Sequence, residues 1–163
     1  MIMRSQKRRN PESGSMMIEF ALSFTLIFAF FTGVFQFGYM FYAYNALVNA
    51  ARNGARYASL KPYDSTGSKP SSSFLTDVQN QVVYGTPAPA PGAMPVLKGL
   101  TTGNVSLVVT PGTAGGTITP PAAVTVSISN FQINSVFAKV TLNGRPSVTY
   151  PYTGTIVTPP PGN

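Results

Sequence analysis

The sequence predicts an α+β protein: a long N-terminal transmembrane and stalk α-helix followed by a small antiparallel β-sheet region. Three observations carry this prediction. From Phe20 to Ala51 no residue is charged and most are apolar. Lys61-Pro62 then ends the helical pattern, because the residue before a proline is pushed out of the helical region. After Val96, β-branched residues alternate or cluster between Gly and Pro turns.

Four segments follow from these signals. Residues 1–14 are a polar, basic leader in which Pro11 and Gly14 oppose regular structure. Residues 15–60 form the hydrophobic membrane and stalk helix. A helix from Met16 to Ser59 would be about 65 Å long at about 1.5 Å per residue. A bilayer core needs about 20 residues, so the second half should extend beyond it as a stalk. Residues 61–95 are a linker with a short helix and a Pro-rich spacer, and residues 96–163 are the β-rich, extracytoplasmic region.

The two halves of the long helix differ in chemistry. Phe20, Phe24, Phe28, Phe31 and Phe35 recur at steps of three and four, while Phe30, Phe37, Phe41 and Tyr44 cover other faces. A helix apolar all round is buried on every side, in lipid or among other helices. The aromatics alone fit a plain anchor and a filament core equally well. Beyond Tyr44 the residues become small: Ala46, Ala50, Gly54 and Ala58 follow at i+4, with Ala51 and Ala55 beside them. Such spacing lets another backbone approach closely and predicts a helix contact. The competing explanation is helix propensity in an exposed stalk. Arg52 and Arg56 share a neighbouring face.

In the linker, Phe74, Leu75, Val78 and Val82 fit a short amphipathic helix starting near Ser72 and stopped by Gly85. Thr86–Pro95 reads as an extended, polyproline-like spacer. Strands are expected at Val105–Thr110, Val124–Ser129, Phe137–Leu142 and Ser147–Tyr152, with Thr155–Thr158 as a further edge. Asn143-Gly144 between the third and fourth is a strong hairpin signal. The resulting sheet should lay one face on the helix stalk, since so few residues make a marginal core alone.

Composition narrows the function. The net charge is +7, but Arg4, Lys7, Arg8 and Arg9 precede the apolar run and read as a topogenic signal holding the N-terminus in the cytoplasm. The remaining basic residues are scattered, with no basic patch interleaved with aromatics, so nucleic acid is not an expected partner. The chain has no Cys and no His, which removes the commonest nucleophiles, general bases and zinc ligands. We therefore expect no enzyme activity, no cofactor and no metal. Asn104-Val105-Ser106 matches a glycosylation sequon, for which chance is the better explanation in a Ser/Thr-rich chain.

Glu19 is the one charge between Glu12 and Arg52. A carboxylate at the centre of an inserted helix costs about 2.5–3.5 kcal/mol, so one at the mouth of this segment calls for a function. The basic leader, Gly14 and the offset to Glu19 (19 − 14 = 5) resemble a type IV prepilin-class signal. That resemblance implies cleavage between Gly14 and Ser15 by a membrane peptidase, with the carboxylate later guiding assembly. The new ammonium on Ser15 would lie about one turn from Glu19 and lower the cost of burying both charges. Glu19 snorkelling at lipid headgroups is the alternative. An ordinary secretory signal fits poorly, since its apolar core spans about 7–15 residues. An uncleaved signal anchor fits the leader and the apolar run but leaves Glu19 unexplained.

Glu19-Phe20-Ala21-Leu22, Gln36-Phe37-Gly38, Phe41-Tyr42-Ala43-Tyr44 and the run from Asn49 to Ala58 together resemble TadE-like proteins, pseudopilins of the tight-adherence pilus system. The resemblance covers Ser13 to about Leu60, and after Pro62 only the general plan matches. It implies a bacterial inner-membrane protein with its C-terminal region in the periplasm. It further implies processing by a prepilin peptidase and a minor role beside other pilins, pseudopilins and the pilus secretion machinery. The alternative is an uncleaved, membrane-anchored extracytoplasmic binding module.

Overall fold

The computed structural model describes residues 12–65, 69–112, 121–135 and 139–155. The chain is α+β. Helix α1 spans Glu12–Leu60 and α2 spans Ser72–Tyr84. The strands are β1 Val105–Pro111, β2 Pro121–Ile128, β3 Phe131–Asn134, β4 Lys139–Leu142 and β5 Ser147–Pro151. The chain divides into two units, Met1–Tyr39 and Met40–Asn163.

In the first unit the described residues are helical from Glu12 onward, four residues earlier than the expected start at Met16. Gly14 is therefore inside the helix. One glycine costs about 1 kcal/mol in a helix interior, which a long cooperative run of good formers absorbs. The large side chains from Met16 to Phe37 are exposed, Phe30 at 74% and Phe35 at 76%. Phe20, Phe24 and Phe28 stack along one face with centroids 6.0 and 6.1 Å apart. Thr25 and Thr32 donate their hydroxyls to the carbonyls of Ala21 and Phe28, at 2.7 and 2.8 Å. Apolar surface outside and hydroxyls satisfied within the helix are what a hydrocarbon environment demands. From Gly14 to Leu60 the helix is long and apolar enough to cross a membrane.

The second unit holds the core. Ala43, Leu47, Ala50, Ala51, Ala55 and Ala58 of α1 join Phe74, Val78, Val82 and Val83 of α2 and the inward residues of the strands. Helix α2 begins and ends as its sequence dictates. Ser71 caps it, its hydroxyl accepting from Phe74 N–H at 3.1 Å. Gly85, at φ 74°, closes it, its N–H donating to Gln81 O at 3.0 Å. The segment after α2 departs from an extended spacer. Ala90-Pro91-Gly92-Ala93 forms a turn closed by Ala93 N–H to Ala90 O at 3.0 Å, with Gly92 at φ 83°. Pro second and Gly third is the residue order that such a turn requires. The chain then returns to α2, where Val96 N–H donates to Val83 O at 2.8 Å.

Two antiparallel sheets replace the single expected one. The first has the order β1-β2-β5 and the second pairs β3 with β4. In the first, Val126 lies between Leu107 and Val148, and Val124 between Val109 and Tyr150. This alternation puts the β-branched face on the core. In the second, Phe131 faces Leu142 and Ile133 faces Val140.

The expected hairpin across Asn143-Gly144 does not form: β4 pairs with β3, and β5 crosses to β2. Gly144 adopts φ 72° as the signal requires, but in a corner between sheets. There its N–H donates to Ser129 Oγ at 3.2 Å, and Asn143 Oδ1 accepts from Asn130 N–H at 3.3 Å. A turn signal specifies local backbone, not the strand that wins the pairing. Phe137 and Ala138, expected to open a strand, lie outside the described residues, as does the edge beyond Thr155. Thr155 itself accepts from Tyr63 N–H at 2.9 Å.

Candidate cleavage and assembly segment

Gly14, Ser15 and Glu19 sit in the first turns of α1, all exposed. Among the described residues, a β-carbon on Gly14 would meet nothing within 4 Å. Ser15 and Glu19 are four residues apart on a helix and therefore share a face. Among the described residues Glu19 takes part in no salt bridge. Arg4, Lys7, Arg8 and Arg9 lie outside the described residues.

The small-residue stripe is largely covered. Ala50 and Ala58 are buried, as is Gly54, and Ala46 is half-buried. At Gly54 the neighbour is α2 of the same chain. Val82 Cγ2 stands where a β-carbon would be, and Val78 O lies 3.7 Å from that point. At Gly54 the close helix contact is made within the chain. Arg52 and Arg56 remain exposed beside it.

The C-terminal end of α1 is closed from far along the sequence. Thr153 N–H donates to Ser59 O at 3.0 Å, and Tyr152 Oη donates to Lys61 O and Thr155 O, each at 2.9 Å. The Ser59 bond satisfies one of the carbonyls that a helix end leaves without partners, and the Tyr152 bonds tie down the residue just beyond it. Tyr63 fills the space beneath, edge-on to Phe74 at 5.6 Å and to Tyr152 at 6.2 Å. Desolvation raises the pKa of both Tyr63 and Tyr152 above the ordinary 10.0. Lys61 pairs with Asp77 and lies over the Phe74 ring at 5.3 Å. Asp64 is pushed up by burial, but hydrogen bonds from Ser71 and Ser73 outweigh this and hold its pKa below 3.8.

Sequence reasoning missed this closure, since no local signal links Ser59 to Thr153. It also gave Asn104 no structural role. The Asn104 amide donates to Ser129 O at 3.2 Å and Asn130 O at 3.0 Å, and its carbonyl accepts from Thr101 N–H at 3.0 Å. Asn104 therefore pins the entry of β1 to the β2–β3 corner.

No curated protein and no solved structure matches the chain. The model of the family described as TadE-like protein matches residues 14–56. That stretch begins at the candidate cleavage glycine, contains Glu19, and ends within the buried half of α1. Over this helical segment the chain is similar to TadE-like proteins.

Proposed function

We propose that this protein is a minor pseudopilin of the inner membrane, serving the biogenesis or structure of a tight-adherence pilus. One observation carries the proposal: the TadE-like match starts at Gly14 and runs along an apolar helix with Glu19 near its start. In this reading the basic leader stays in the cytoplasm and residues beyond the membrane fold in the periplasm. A prepilin peptidase cuts between Gly14 and Ser15, and the new ammonium pairs with Glu19 of the same or an adjacent subunit. Other pilins, pseudopilins and the secretion machinery are the partners. The role is structural, not catalytic, in keeping with a chain that has no Cys or His.

The deciding experiment is mass spectrometry of the mature N-terminus from membranes of the native host. A protein beginning at Ser15 supports the proposal. A protein still beginning at Met1 or Ile2 overturns it in favour of an uncleaved anchor carrying a binding module. That second reading draws on the well-built core of residues beyond Met40.

A further inference from the structure

On α1, Tyr44, Val48 and Arg52 recur at steps of four and line one side of an open groove of about 570 Å³; Gly144 to Val148 line the other. Among the described residues neither Arg52 nor Arg145 takes part in a salt bridge, and both are exposed. Two arginines thus line opposite sides of a groove whose wall includes Val48, Pro146 and Val148. A guanidinium matches the oxygens of a phosphate with two parallel hydrogen bonds, which suits a planar fork better than a lysine.

The groove starts where the apolar run of α1 stops. Phe41 and Tyr42 are 67% and 64% exposed, whereas Tyr44, at 40%, is the first groove residue. Tyrosines are enriched where a helix leaves the hydrocarbon. Arg52 lies about 12 Å further along the axis at about 1.5 Å per residue. Its side chain leans back toward the helix N-terminus, because helical Cα–Cβ bonds tilt that way. Headgroups occupy about 5–7 Å on each side of the hydrocarbon core, so a snorkelling Arg52 returns its charge toward their level.

We propose that this groove binds the phosphate of an anionic phospholipid headgroup, held by Arg52 from the helix and Arg145 from the β4–β5 corner. The inference rests on the membrane-anchor reading, which makes lipid the anion concentrated at that position. An acidic protein segment shares the charge but has no reason to sit at the end of the apolar run.

The test uses the full-length chain in nanodiscs of phosphatidylcholine with or without phosphatidylglycerol. Native mass spectrometry then counts the phosphatidylglycerol that stays bound. Wild type should retain it selectively, and Arg52→Gln and Arg145→Gln should each weaken retention about five-fold. Arg52→Lys should fall between, and Lys98→Gln, away from the groove, should match wild type. Equal retention by all variants overturns the site. So does arginine-dependent binding of inorganic phosphate in detergent without lipid selectivity, which assigns a free anion. Arginine-dependent binding of a hexaglutamate peptide without lipid selectivity also overturns it, assigning an acidic segment. Failure of the chain to enter nanodiscs refutes the anchor reading; entry without selective retention refutes only this site.

Discussion

Val82 of α2 occupies the place of a side chain on Gly54 of α1, so the two helices meet where the long helix has no β-carbon. The contact explains why a glycine stands in a buried helix interior, where alanine would be favoured by about 1 kcal/mol on propensity. Gly54→Ala should accordingly destabilise the unit by about 1–3 kcal/mol through overpacking. Val82→Ala in the same chain should recover part of the loss. Denaturant unfolding of the four forms gives the coupling between the positions. A stabilised single variant would show that α2 does not press on Gly54.

Glu19→Leu separates processing from assembly. It makes the membrane segment more apolar, so insertion should hold or improve. If the proposed function holds, cleavage should persist while pili are lost, since removing one member of an ion pair that becomes buried on assembly costs about 3–5 kcal/mol. Gly14→Val, in contrast, should leave an uncut precursor about 1.5 kDa heavier, at ~110 Da per residue of leader. A mass for each variant and a count of pili decide between the two effects. Wild-type piliation with Glu19→Leu would remove the pairing idea.

Tyr152→Phe keeps the ring against Tyr63 but removes the hydroxyl that donates to Lys61 O and Thr155 O. The expected loss is about 1–3 kcal/mol, because a partly buried carbonyl is left without its donor. Hydrogen exchange should show the last turn of α1 opening first. Uniform loosening of the whole unit would mean that the closure is not local.

Alkaline pH should act at the same place. Burial raises the pKa of Tyr63 and Tyr152 above 10.0, so the folded state holds both neutral beyond the point where the unfolded chain ionises. Their contribution is whole below about pH 10 and is lost as pH rises through the raised values. Tyrosinate absorbance during alkaline titration, compared with Tyr63→Phe and Tyr152→Phe, reads this directly. Late-titrating tyrosines absent from wild type would contradict it.

Ser71 serves two acceptor–donor roles: its oxygen caps α2 through Phe74 N–H, and its hydroxyl donates to Asp64 at 2.5 Å. Ser71→Ala should cost about 0.5–2 kcal/mol as a lost cap. The Asp64 pKa, held below 3.8, should also rise. The lowered pKa contributes stability above the unfolded value that is lost as pH falls through the folded one, so the variant should show a weaker acid dependence. Carboxylate chemical shifts across an acid titration measure the change.

Elements whose signals are local could be read from the residues alone. The end of α1 before Pro62, the start of α2 near Ser72 and its stop at Gly85, and β1, β2 and β5 to within a few residues all follow from periodicity and turn chemistry. Gly14, Ser15 and Glu19 are a candidate site proposed from spacing along one segment. What these elements meet was set only by the packing of the folded chain. Asn143-Gly144 announced a reversal, but only competition among apolar strand faces sent β5 to β2 and left β4 with β3. At Gly54 folding supplied α2 of the same chain as the close neighbour, since small residues state how near something can come but not which chain supplies it. The closing of α1 by Tyr152 and Thr153 left no trace in sequence, because backbone carbonyls accept from any donor that folding carries to them.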